Sequence, residues 1–166
     1  MKKKSRSAFL VQAAMIAAIY AALTYFTAPI AFGPTQLRIA EALTVLPVLT
    51  PAAVPGLAIG CIIANLSSPY GLVDIICGTA ATLLAAICTR AARNIRIKGI
   101  PVLSVIFPVI FNGIIIGLEI AFFLPEGATF WAFITSGAGV ALGELVSCGL
   151  LGIPLFAALR KTKIFN

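Results

Sequence analysis

The sequence predicts an all-α integral membrane protein, a bundle of six transmembrane helices with both termini in the cytoplasm. Three observations predict this fold: 61% of the 166 residues are hydrophobic, only 10% are charged, and long apolar segments alternate with short basic ones. Soluble domains carry about 25% charged residues and are about half apolar. A soluble globular domain, a coiled coil and a disordered chain are therefore excluded, and the length fits one membrane domain over residues 1–166.

Four apolar segments have roughly the length of a membrane span, which needs about 20 residues. In chain order they are Ala8–Phe32, Leu72–Thr89, Pro101–Leu124 and Phe130–Leu159. The first is too long for the apolar core of a signal peptide, so we interpret it as a retained span. Residues 33–35 end it, and the turns between the later spans contain proline and glycine.

The segment Ile39–Leu66 decides the topology, because prolines interrupt its first half. One kinked span there gives five spans in total, whereas two short spans broken near Pro47–Pro51 give six. With six spans all the main basic clusters lie on the cytoplasmic side, as the positive-inside rule requires. These clusters are Lys2, Lys3, Lys4 and Arg6; Arg90, Arg93, Arg96 and Lys98; and Arg160, Lys161 and Lys163. We therefore expect six spans, with the single kinked span as the alternative.

The composition also excludes several kinds of chemistry. The chain has no histidine, which removes imidazole metal sites and Ser-His-Asp triads. Its four cysteines (Cys61, Cys77, Cys88 and Cys148) lie in apolar segments without CxxC spacing, so neither a disulfide framework nor a zinc site is expected. No phosphate-binding Walker A motif is present. We expect no metal, no cofactor, no enzymatic activity and no nucleic-acid partner.

Polar residues inside the predicted spans gather towards the outer side of the membrane. A charge within a membrane helix costs several kcal/mol unless it is paired or hydrated, so it is a functional candidate by default. We predict that these side chains line a net negative pocket, open to the outside, for a polar or cationic ligand. The candidates are Arg38, Glu41, Asn65, Asp74, Asn112, Glu119 and Glu144.

Each of these candidates also has a structural interpretation. Arg38 lies three residues before Glu41, which is ion-pair spacing on a helix. Asp74 could be a helix N-cap, Glu144 could be a protonated acid bonded to a neighbouring span, and the two asparagines could join helices. Tyr70 and Trp131 are placed to stack on a flat ligand ring, although aromatic residues also form ordinary interfacial belts.

The first span carries two parallel stripes of alanine, which let another helix approach closely. One of these two stripes could be the docking surface for a partner membrane protein. The alternative is that the stripes pack against other helices of the same bundle. The stripes are Ala14, Ala18 and Ala22, and Ala13, Ala17 and Ala21.

Several sequence runs resemble the QueT family, whose members are substrate-binding S components of energy-coupling factor (ECF) transporters. The most specific run is LRIAEALTVLP at Leu37–Pro47. The others are AVPGLAIGCIIANL at Ala53–Leu66, GLVDIICG at Gly71–Gly78, GLE at Gly117–Glu119, GELVS at Gly143–Ser147 and GIPL at Gly152–Leu155. Asn112 is also similar to the family pattern. The resemblance covers most of the chain.

The resemblance implies uptake of a queuosine precursor across a bacterial plasma membrane. The ligand would be 7-aminomethyl-7-deazaguanine, queuine or queuosine, and the partners would be a membrane T component and two cytoplasmic ATPases. The ring N–H donors and the aminomethyl cation of such a ligand suit carboxylates, and its flat ring suits Tyr70 or Trp131. The alternatives are an S component for another vitamin or nucleobase, a small secondary transporter or channel, a membrane enzyme and a structural subunit.

Overall fold

The computed structural model describes residues 6–33, 36–125, 127 and 129–162, and within these ranges the regular structure is helical apart from one isolated bridge. The predicted all-α fold is therefore confirmed. Several residues used in the predictions lie outside the described ranges: Lys2, Lys3, Lys4, Pro34, Thr35, Glu126 and Lys163.

The helices follow one another with short connections. They are α1 (Arg6–Phe26), α2 (Ala28–Ala31), a 3-10 segment (Ile39–Val48), α3 (Ala53–Asn65), α4 (Leu72–Ala91), α5 (Leu103–Phe123), α6 (Phe130–Glu144), a π segment (Leu145–Gly152) and α7 (Ile153–Leu159). Among the described residues four helices are long and apolar enough to cross a membrane, counting Phe130–Leu159 as one. Ile39–Val48 and Ala53–Asn65 are apolar but shorter.

The break within Ile39–Leu66 is confirmed, because residues 49–52 separate two helical segments. The first of them is a 3-10 helix rather than the expected α-helix. Its rise of about 2.0 Å per residue lets ten residues reach about 20 Å, compared with about 15 Å for an α-helix. This geometry partly offsets the short length of the segment.

Two predicted helices are less regular than expected. The first span breaks at Thr27, which precedes the short helix α2. Pro29 in the first turn of α2 has no N–H to continue the hydrogen bonding of α1. The last span is helical from Phe130 to Leu159, but residues 145–152 widen into a π-helix.

Glycine allows two helix pairs to pack closely. A Cβ at Gly60 of α3 would lie 2.8 Å from Tyr20 Cβ and 3.0 Å from the Ala17 carbonyl of α1. Likewise a Cβ at Gly117 of α5 would lie 2.5 Å from the Cα of Gly137 on α6. Side chains larger than hydrogen would push these helices apart.

The two alanine stripes of α1 have different environments. Ala13, Ala17 and Ala21 are buried, since this face of α1 packs against α3. Ala14, Ala18 and Ala22 are exposed. Internal packing therefore accounts for the first stripe and leaves the second free on the bundle surface.

Contacts between distant segments define the two ends of the bundle. At one end, which we call the basic end, Thr50 bonds Gln12 at 3.0 Å, Arg90 bonds the Pro47 carbonyl at 3.0 Å and Arg160 bonds the Gly99 carbonyl at 3.4 Å. At the other, the acidic end, the Tyr70 and Phe123 rings lie 5.2 Å apart. The start of α1, the loop after α4 and the end of α7 thus share the basic end.

Candidate functional site

The seven polar candidates are all removed from solvent and lipid. Their side chains are at most 5% exposed. The two aromatic candidates differ from them: Trp131 is 73% exposed and packs edge-on against Phe130, whereas Tyr70 is half-buried beside Phe123. Buried polar groups need partners, so the arrangement around each candidate shows what it can do.

Glu41 lies at the centre of the buried polar cluster. The Tyr20 hydroxyl from α1 donates a hydrogen bond to Oε1 of Glu41. The Thr82 hydroxyl from α4 donates to the same oxygen at 3.3 Å, while Oε2 has no partner among the described residues. Three helical segments therefore converge on one carboxylate that retains a free oxygen.

Cys148 lies between Glu144 and Glu41 and contacts both residues. The Cys148 Sγ lies 3.3 Å from Glu144 Oε2 and 3.3 Å from the Glu41 carbonyl oxygen. The ligand-type atoms of Glu41, Glu144 and Cys148 lie within 4.8 Å of one another. A structural zinc site needs four such ligands, so the expected absence of a metal stays a prediction.

Cys61 receives hydrogen bonds from three polar side chains and links both parts of the cluster. Arg38 Nη1 lies 3.8 Å, Asn65 Nδ2 3.5 Å and Thr82 Oγ1 3.6 Å from its sulfur. Asn65 Nδ2 also donates to the backbone oxygen of Asp74 at 2.8 Å. Gly78 makes this approach possible, because a Cβ there would collide with the Asn65 amide.

Asp74 and Glu119 face each other from α4 and α5 at the acidic end. Both oxygens of both carboxylates are buried, and none has a hydrogen-bond partner among the described residues. The two charges are close enough to interact with each other and with Tyr70. Burial raises the pKa of the Tyr70 hydroxyl, and the carboxylates of Asp74 and Glu119 raise it further.

Arg38 does not form the predicted contact ion pair with Glu41. Arg38 precedes the 3-10 segment in extended backbone, so the α-helical spacing of the prediction does not apply. Its guanidinium instead interacts at longer range with four carboxylates, those of Glu41, Asp74, Glu119 and Glu144. One nitrogen of Arg38, Nη2, has no partner in the described part of the chain.

Asn112, like Glu119, is not joined to the cluster by a hydrogen bond among the described residues. It shares a buried face of α5 with Glu119, as its spacing predicts. Its Nδ2 has no partner in the described structure.

Sequence reasoning missed several residues of the cluster: Tyr20, Thr44, Cys61, Thr82 and Cys148. It also missed the buried Gln36, whose side chain shows no bond to the cluster within the described residues. Two of the cluster residues carry a local signal, because Cys61 precedes Asn65 by four residues and Cys148 follows Glu144 by four. Gln36 carries none; it is buried, has a positive φ of 43° and leaves its Nε2 unpartnered.

A cleft of about 470 Å³ opens between α4 and α5, and Glu119 is its one acidic lining residue. Val73, Cys77 and Phe123 also line it. The rest of the lining is apolar and the carboxylate oxygens of Glu119 are buried, so the cleft offers apolar space beside the polar cluster.

Comparison with known proteins gives one match. A family model described as QueT transporter matches residues 10–161, nearly the whole chain. No curated protein and no solved structure matches it.

Proposed function

Because the chain belongs to the QueT transporter family, we propose that it is the substrate-binding S component of an ECF importer of the bacterial plasma membrane. The predicted family is confirmed, and with it a membrane transport role and a multi-pass membrane embedding. The finer assignment comes from the resemblance. In it, this subunit binds a queuosine precursor from outside, and two cytoplasmic ATPases act through a membrane T component to drive uptake.

The unpartnered carboxylates of Asp74 and Glu119 carry this proposal. A buried polar group without a partner costs about 1–3 kcal/mol, and more when it is charged. A ligand that presents N–H donors and a cation would offset this cost. The deazaguanine ring has donors at N1 and at the 2-amino group, and 7-aminomethyl-7-deazaguanine adds an ammonium group.

The remaining polar groups suit the same ligand. The free Nη2 of Arg38 is a donor for a ring carbonyl, and the Asn65 Oδ1 is an unpartnered acceptor. Tyr70 offers a ring face beside Asp74 and Glu119. We call the proposed ligand site around Asp74, Glu119, Arg38 and Asn65 the polar cage. Asn112 supports this cage from α5, and Glu41 and Glu144 form its deeper wall. Trp131 stays an exposed aromatic candidate.

The exposed stripe Ala14, Ala18 and Ala22 is our proposed docking face for the T component. Small side chains let a partner helix approach closely, and the parallel stripe of Ala13, Ala17 and Ala21 is already occupied by α3. The shared position of both described chain ends and the loop after α4 supports six crossings. The basic end would then be cytoplasmic.

A thermal-shift screen on the purified protein tests the ligand class. Queuosine precursors should raise the unfolding temperature, whereas folate should not, because its glutamate tail carries two carboxylates and Arg38 is the one cation in the described part of the site. Stabilisation by a different vitamin alone would assign another specificity. Uptake in proteoliposomes should require the T component and ATP hydrolysis; uptake by the isolated subunit along an ion gradient would identify a secondary transporter.

A further inference from the structure

The loop between α4 and α5 alternates exposed isoleucines with exposed cations. Ile95 and Ile97 are 58% and 60% exposed, and Arg96 and Lys98 lie beside them. Ile97 and Ile100 exchange two backbone hydrogen bonds of 3.0 Å. The two residues between them have φ values of 51° and 80°, as tight two-residue hairpin turns require. The loop is therefore an ordered structure that presents apolar and basic side chains together.

Two arginines from different segments converge on one buried ring beside this turn. The Arg96 guanidinium lies 5.4 Å and the Arg160 guanidinium 6.0 Å from the centroid of Phe156. Arg160 Nη1 also donates to the Gly99 carbonyl at 3.4 Å. These contacts hold both guanidinium groups beside the same ring, and most of their N–H donors have no partner among the described residues.

No carboxylate neutralises this cluster within the described residues. The described cations at the basic end are Arg6, Arg90, Arg93, Arg96, Lys98, Arg160 and Lys161. Arg90 and Arg93 bond backbone carbonyls. The four described acids, Glu41, Asp74, Glu119 and Glu144, are all buried in the polar cluster. Among the residues that the structure describes, the basic end thus has neither a carboxylate counterion for its arginines nor a cover for its isoleucines.

We propose that Arg96 and Arg160 bind the phosphate of an anionic phospholipid, with Ile95 and Ile97 among its acyl chains. Planar guanidinium groups bind phosphate oxygens in a bidentate manner. Basic pockets at helix ends attract anionic headgroups, and isoleucine beside arginine suits the boundary between headgroups and acyl chains. A free phosphate ion would satisfy the arginines but would leave the isoleucines exposed. This site is independent of the transported ligand.

Native mass spectrometry of the detergent-purified protein tests this site with phosphatidylglycerol and, for comparison, phosphatidylcholine. The wild type should retain phosphatidylglycerol preferentially, and added inorganic phosphate at millimolar concentration should not displace it. Arg96→Gln combined with Arg160→Gln should weaken phosphatidylglycerol binding by about thirty-fold, because each of the two cations contributes about five-fold near an anionic surface. Arg93→Gln is the matched control, because it removes one charge from the same loop but does not contact Phe156.

A second double variant tests the proposal even if the glutamine double variant does not fold. Arg96→Lys combined with Arg160→Lys keeps both charges and should still bind a few-fold more weakly than wild type, since ammonium groups lack the planar fork. Equal retention of both lipids by wild type, or wild-type phosphatidylglycerol binding by both double variants, would overturn the proposal. So would loss of a protein partner with unchanged lipid binding, which would make this cluster a protein-docking surface.

Discussion

Arg38 is the residue on which the electrostatics of the site depend. It is the one cation in the described polar cluster, and four buried carboxylates act on it. Since it contacts none of them closely, it lowers the repulsion among all four without neutralising any one of them. Such a site favours a ligand that brings positive charge or hydrogen-bond donors.

The hydrogen bond from Tyr20 to Glu41 predicts a stability effect. Tyr20→Phe leaves a buried carboxylate with one donor fewer, which should cost about 1–3 kcal/mol of unfolding free energy. Tyr25→Phe is the control, because the Tyr25 hydroxyl bonds the Ile63 carbonyl at 3.3 Å on an exposed face. Thermal unfolding in detergent measures both. Equal unfolding temperatures for the Tyr20→Phe and Tyr25→Phe proteins would show that the bond from the Tyr20 hydroxyl to Glu41 does not stabilise the fold.

Glu144 should contribute to ligand binding from the deeper wall of the cage. Glu144→Gln is nearly isosteric and removes the charge, so we expect about 1.5–3 kcal/mol of lost binding energy, or roughly ten- to hundred-fold in affinity. Calorimetry with 7-aminomethyl-7-deazaguanine measures this loss, and the unfolding temperature checks the fold. Wild-type affinity in a folded variant would make Glu144 a structural partner of Cys148 and Glu41.

At the scale of elements, two irregular helices build the inner wall of the site. The 3-10 segment packs against the π segment, where Thr44 and Cys148 lie 3.3 Å apart and a Cβ at Gly152 would lie 3.1 Å from the Ala42 carbonyl. The π segment begins directly after Glu144. Wide turns of this kind are frequent at functional sites. Here the turn brings Cys148 to the Glu144 carboxylate and to the backbone carbonyl of Glu41.

Close packing of α1 on α3 predicts different effects for two glycine substitutions. Gly60→Ala places a methyl group against Tyr20 and the Ala17 carbonyl, and such overpacking costs about 1–3 kcal/mol. Gly149→Ala meets only Val105 at 3.9 Å and should be tolerated. Unfolding temperatures in detergent compare the two. A Gly60→Ala protein as stable as the Gly149→Ala protein would contradict the observed packing.

The alanine stripes should respond in opposite ways to large side chains. Ala14→Trp with Ala18→Trp alters the exposed stripe, so ligand binding should persist while uptake and co-purification with the T component are lost. Ala17→Trp alters the buried stripe and should destabilise the subunit itself. Normal uptake by the Ala14, Ala18 double variant would exclude this stripe as the docking face.

At the scale of the whole molecule, apolar segments and their breaks predict most of the helix order. The pattern could not predict the 3-10 geometry of Ile39–Val48 or the π segment, because neighbouring segments impose these shapes. For the site, the sequence pattern located the buried acids. A carboxylate within a membrane span is energetically unfavourable unless it is paired or hydrated, so the sequence alone identifies it as a candidate. Tyr20 and Thr82 could not be predicted, since they reach Glu41 from other helices.

The six-span topology predicts the accessibility of two introduced cysteines. In a background where the native cysteines are shown to be unreactive, Glu126→Cys should react with an impermeant thiol reagent from outside. Lys98→Cys should react only after the membrane is permeabilised, because its loop lies at the basic end. Labelling of Lys98→Cys in intact cells would contradict the proposed orientation, because it would place this loop outside the cell.

The most direct test of the proposed function is calorimetric titration of the purified protein with 7-aminomethyl-7-deazaguanine, queuine and queuosine. Wild type should bind at least one of them. Asp74→Asn and Glu119→Gln, with the fold verified, should each bind it about ten- to hundred-fold more weakly. Thr135→Val is the control, because that exposed hydroxyl bonds only its own helix backbone. Wild-type affinity in both acid variants, or no binding of any queuosine precursor by the wild type, would contradict the account.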